Sequence, residues 1–133
     1  MSARATVSSQ RPGLQAAQEA TALALPELVS RLRDIVGVRI VAYIGNVKNT
    51  RPVADWAEGR RRPGVEDEER LRLAFQAALL MRDRYEPTTI QSWLMGSNPA
   101  LEHEAPARYI RQNRAVDVAK EVMAAASAFA LVG

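Results

Sequence analysis

Between Ile90 and Ile110 the chain reads Ile-Gln-Ser-Trp-Leu-Met-Gly-Ser-Asn-Pro-Ala-Leu-Glu-His-Glu-Ala-Pro-Ala-Arg-Tyr-Ile, a run that admits few backbone paths. Ile90, Trp93 and Leu94 share one face of a helix, and Gly96 is placed to close it in a left-handed cap, because Pro99 behind it cannot extend a helix. Asn98 precedes a proline and is biased toward extended or turn backbone, with Leu101 as the apolar anchor that fastens the turn inward. Pro106 suits the first position of a new helix carrying Tyr109 and Ile110. The spacing predicts helix, pinned loop, helix. Trp93, Met95, Leu101 and Pro106 lying so close together fit a compact corner that forms or supports a binding surface, and equally an ordinary helix corner with a core tryptophan.

The remaining composition points to an all-α protein. Of 133 residues, 47% are hydrophobic and only 5% aromatic, with Ala and Leu dominating the apolar set and little strand-like alternation. That length fits one domain or two small helical units sharing a core. Cysteine is absent, so disulfides and thiolate metal sites are excluded. Ser2 to Gln10 is polar, with no secretory signal, and no run is long enough to span a membrane, so a soluble, cytoplasmic chain without membrane contact is expected. Net charge is +3, unevenly spread: residues 1–65 hold ten Lys or Arg against five Asp or Glu, and residues 66–133 hold eight against ten. The basic half is the one suited to polyanions.

Three segments follow from the breaks in pattern. Residues 1–25 form a flexible or partly helical lead, loose through Gly13 and helix-capable from Leu14 to Leu25. Residues 26–86 begin with a helix opened by Pro26 and Glu27, buried through Leu28, Leu32, Ile35 and Val36, and closed by Gly37. Next comes a short helix with Ile40, Val41 and Ile44 inward, ending at Gly45, and a turn anchored by Val47. Asn49 or Thr50 can cap the following helix, which faces Val53, Trp56 and Ala57 inward and stops at Gly59. Two short helices joined by a tight turn are the arrangement that sets a recognition helix in a major groove. Lys48, Asn49, Thr50, Arg51 and Asp55 then point at bases or phosphates. The run Arg60-Arg61-Arg62, held by Pro63-Gly64, reads as a set of phosphate contacts beside the groove or as a solvated loop. Val65 to Tyr85 is a long helix whose Glu66, Asp67, Glu68 and Glu69 complement the positive end of its dipole.

Residues 87–133 form the last unit. Thr88 or Thr89 is a candidate cap for the helix carrying Trp93, Asn113 a stop for the helix opened by Pro106, and Asp117 a start for a final helix from Val118 to Leu131. Val118, Val122, Met123, Ala126, Phe129 and Ala130 make its apolar stripe, suited to core packing or to a partner surface. His103 is the sole histidine, so neither a Ser/His/Asp arrangement nor a histidine metal cluster can be assembled. No phosphate-cradling glycine loop is present. No enzyme activity, metal or cofactor is expected, and His103, flanked by Glu102 and Glu104, is expected to be solvated.

Trp93-Leu94-Met95-Gly96-Ser97-Asn98-Pro99-Ala100-Leu101, followed by Pro106 and Tyr109-Ile110, resembles the toxin-binding domain of the antitoxin Xre/MbcA/ParS family. Val38 to Pro63, with Trp56, Gly59 and Arg60, resembles the Xre-like helix-turn-helix that these antitoxins carry, so the likeness covers roughly residues 35–130. It implies an all-helical type II antitoxin, with an N-terminal Xre-like helix-turn-helix bundle followed by a small helical toxin-binding domain. Its partner is a RES-domain toxin that consumes NAD, blocked at its active site, and its second ligand is operator DNA bound to repress its own operon, as a homodimer or a toxin–antitoxin hetero-oligomer. Toxin contact then falls to Trp93, Asn98, Leu101, Pro106, Tyr109 and Phe129, with Trp93 and Leu101 mainly structural. The chain departs from the family at Glu102, His103, Glu104 and Ala105, where glycines are common, and near Asn113, which stands in for a usual glycine. Two other readings are a free-standing helix-turn-helix regulator with a C-terminal dimerisation module, and a partner-binding protein that has left DNA.

Overall fold

A computed structural model describes residues 12–132; the expected loose stretch through Gly13 lies almost wholly outside them. Among the described residues the chain is all-α, with no strand: α1 (Pro12–Ala22), α2 (Leu25–Val36), α3 (Val38–Ile44), α4 (Arg51–Ala57), α5 (Val65–Arg82), α6 (Pro87–Met95), a 3-10 turn η1 (Pro99–Leu101), α7 (Pro106–Arg111) and α8 (Ala115–Val132). None of these helices is long and apolar enough to cross a membrane.

Prolines set several of the boundaries. A helix continued through Pro26 would drive the ring into the carbonyl of Ala22, so α1 stops there instead of reaching Leu25, and α2 restarts behind the extended Ala24. Pro87 acts likewise on Asp83. The helix expected through Tyr85 ends at Arg82, and α6 begins at Pro87 with Glu86 extended before it, so neither Thr88 nor Thr89 is the cap. Gly37 closes α2 at φ 90, a conformation that glycine adopts without strain. Gly96 does not play the same part: it is extended, at φ −94 and ψ 155, because the chain must run straight on to Asn98 and Pro99. The final helix begins at Ala115, earlier than Asp117, which sits in its first turn; Ala115 is buried and opens the apolar stripe.

α5 is the axis of the molecule. Leu71, Ala74, Phe75, Ala77, Ala78 and Met81 have no exposed surface, and Leu73, Leu79 and Leu80 are nearly as deep, so from Leu73 to Met81 the helix is apolar almost all round. It packs against α1, α2, α3, α6, α7 and α8. One continuous apolar cluster runs from Ala16 on α1 to Ala126 on α8, so the segments on either side of residue 86 share a core. Polar side chains staple it across long sequence separations. Arg72 Nη1 donates to the carbonyls of Ala20 (2.8 Å) and Leu23 (2.9 Å), Arg70 Nε to Asn113 (2.7 Å), Gln91 Nε2 to Ile35 (3.1 Å), and Tyr85 Oη to Phe129 (2.9 Å). Each satisfies a carbonyl left over at a helix end or loop, worth roughly 1 kcal/mol net. The acidic start of α5 complements its dipole and also binds outward, with Glu66 and Glu69 pairing to Arg114 ahead of α8.

Candidate functional site

Two surfaces carry the residues singled out from the sequence. The first lies where α3 turns into α4. Val41, Ile44 and Val53 are fully buried and Trp56 nearly so, with Ile40 and Val47 half-buried at the margin. The turn is tight because Gly45 lies flat on the Trp56 ring: a Cβ there would come within 2.8 Å of two ring atoms and 3.1 Å of the Val41 carbonyl. Thr50 is the N-cap of α4 but makes no side-chain cap; Asn49 Oδ1 does that work, accepting from the Arg51 amide at 3.2 Å. Lys48, Asn49, Thr50 and Arg51 are all exposed on this corner.

Asp55 and the arginine run behave differently from the expectation. The Asp55 carboxylate is turned back on its own chain, its side chain 15% exposed, accepting from Arg60 Nη2 at 2.9 Å and Nε at 3.2 Å, with Arg61 Nη1 at 3.6 Å. Its carbonyl also receives the Arg60 amide at 2.9 Å. The Arg60 hydrogen bond holds the Asp55 carboxyl below its usual range, and Asp55 with Glu58 raises Arg60 in return. Arg60 also pairs with Glu58, and Arg62 with Glu68 at 2.7 Å, which itself binds Arg72. The run therefore carries most of its own counter-charge, and Asp55 is the clamp that folds it against the end of α4.

Beside this corner the structure adds Arg39, Tyr43 and Arg111, which the sequence did not single out. Arg39 of α3, Tyr43, Lys48 and Asn49 line a concavity of about 610 Å³ together with Arg111 of α7. Arg111 Nη1 donates to the Tyr43 carbonyl at 3.0 Å, and its guanidinium lies 4.6 Å over the Tyr43 ring. Those partners are 68 residues apart in the chain, a pairing that local pattern cannot reveal.

The second surface is built on the loop after α6. Asn98 is extended (φ −127, ψ 115) and organises the loop: its Oδ1 accepts from the Ala100 amide at 2.9 Å, its carbonyl from Leu101 and His103, both at 2.9 Å, and its amide donates to Glu104 at 3.1 Å. Leu101 is fully buried and Pro106 is buried too, so both brace the loop from inside. Trp93, Asn98, Pro99 and Ala100 form one wall of an open groove, and Ala125, Ala128 and Phe129 of α8 form the other. Phe129 stacks between Tyr85 at 4.5 Å and Trp93 at 6.2 Å between ring centroids. Tyr109 stands apart from this groove; burial, then the charges of Glu121 and Glu102, push its hydroxyl pKa up.

Glu102 and His103 both adopt left-handed backbone, at φ 58 and 66, and both are exposed. The loop thus takes up the conformation that glycine favours while carrying side chains, at positions where the resembling family commonly has glycines. Replacing either by glycine relieves strain that outweighs the added chain entropy, so Glu102→Gly and His103→Gly are each expected to stabilise by about 0.5–1 kcal/mol. Urea midpoints of the two variants check this. No protein-family model, curated protein or solved structure matches this chain.

Proposed function

We propose that this chain is the antitoxin of a type II toxin–antitoxin pair, acting by occlusion and without catalysis of its own. Its α6–α8 groove covers the active-site entrance of a RES-domain toxin that consumes NAD, while the helix-turn-helix corner of α3 and α4 binds operator DNA and represses the operon. One observation supports the reading most: the residues of the family-like stretch at Trp93 and Asn98 meet Phe129, from the far end of the chain, in a single open groove. The loop beneath is locked by the four Asn98 hydrogen bonds and the buried Leu101, so the surface is pre-formed, which reduces the ordering cost of binding.

A free-standing regulator is the second reading, favoured by the exposed Lys48, Asn49, Thr50 and Arg51 at the corner, which suit DNA whether or not a toxin is present. The two part company on neutralisation. Ala128 is exposed, lines the groove and has room to be changed without disturbing the core. NAD consumption by the RES-domain toxin should be suppressed by the intact chain and restored by Ala128→Arg; a regulator alone leaves NAD consumption untouched in both cases.

A further inference from the structure

We propose that the cleft between α3 and α7 is the main phosphate-binding site of this protein, gripping the backbone of duplex DNA through Arg39, Lys48 and Arg111. The assignment rests on the DNA-binding reading above and moves its electrostatic weight away from the arginine run. Among the described residues no carboxylate lies within ion-pair distance of Arg39, Lys48 or Arg111. Arg60, Arg61 and Arg62 are all held by Asp55, Glu58 or Glu68. A phosphate that meets the run must displace carboxylates already in place; one that enters the cleft meets cations with none to displace.

The cleft is also shaped for a backbone. Arg111 is fixed in advance by the Tyr43 carbonyl and ring, with its remaining N–H groups still to be used, so little side-chain freedom is lost when a phosphate arrives. Asn49 and Thr50 line the same concavity and lead directly into α4, so a strand held there passes beside the corner that would read the groove. Single-stranded RNA is recognised by stacking its bases on open aromatic rings. Tyr43 is the one aromatic residue in the lining, and its face is covered by Arg111, which favours duplex over single strand.

The test measures binding of the full chain to a short mixed-sequence DNA duplex by fluorescence anisotropy between about 50 and 200 mM salt. Lys48→Gln, which breaks no side-chain hydrogen bond among the described residues, and Arg111→Gln should each weaken binding and lower the slope of log K against log salt by about one. Arg111→Lys should recover most of the slope, since it keeps the charge, whereas a merely structural role for Arg111 would not be rescued in this way. Arg61→Ala should leave the slope almost unchanged. Wild-type binding with unaltered slopes in Lys48→Gln and Arg111→Gln overturns the cleft assignment while DNA binding itself stands. Absence of wild-type binding to the duplex at low salt overturns both, and single-stranded RNA of equal length competing as well as duplex overturns the choice of ligand.

Discussion

Leu101→Ala is expected to destabilise the protein by about 2–5 kcal/mol, one of the largest effects of any single substitution outside α5. The side chain has no exposed surface and plugs the loop from below, where η1 packs on α8. Truncation leaves a cavity that cannot collapse readily, because the backbone around it is fixed: Leu101 donates to the Asn98 carbonyl at 2.9 Å and accepts from Glu104 at 3.0 Å. Urea denaturation followed by circular dichroism reads the change. Met95→Ala is the control; it removes a comparable volume from a residue that is 52% exposed and should shift stability by no more than about 0.5 kcal/mol. A loss below about 1 kcal/mol for Leu101→Ala would mean that the loop is held by its hydrogen bonds alone.

Gly45→Ala is expected to cost about 1–3 kcal/mol although it adds a single methyl group and alanine is the better helix former. Gly45 has an ordinary backbone, φ −76 and ψ 1, so the cost is one of space and not of conformation. Its Cβ would sit 2.8 Å from the Trp56 ring, which is itself only 3% exposed and cannot swing outward. Either the ring or the whole of α4 must shift. The effect is diagnosed by a double-mutant cycle: in a Trp56→Phe background the clashing ring atoms are gone, so Gly45→Ala should cost markedly less than in wild type. Equal costs in both backgrounds would show that contact with Trp56 does not govern this corner.

Much of the fold was legible because it rests on local rules. Pro26 and Pro106 open helices where expected, and Gly37, Gly45 and Gly59 fall at or just after helix ends. Asn98 is extended ahead of Pro99, Leu101 is buried and His103 is exposed. The rest depends on how the chain folds back on itself, near or far, which helix and turn propensities do not encode. Gly96 is extended and Glu102 and His103 are left-handed because the loop closes on Asn98, which local propensity alone would assign the other way round. The arginine run looked free because a carboxylate on the neighbouring helix, Asp55, is invisible as a partner until α4 ends and the chain folds back. Arg111 was passed over because its role depends on Tyr43, brought near only by packing of α3 on α7.

Cutting the chain after Tyr85 is a poor test of the two roles, since α8 packs along α5 and shares its core, so removal would uncover apolar surface there. The intact chain gives the cleaner measurement: NAD consumption by the RES-domain toxin alone, with the wild-type protein, and with the Ala128→Arg variant, whose folding is verified by its urea midpoint. Occlusion by the α6–α8 groove predicts that wild type stops NAD loss at stoichiometric addition and that Ala128→Arg does not. NAD loss that continues unchanged with the wild-type protein, or that Ala128→Arg stops equally well, would contradict it.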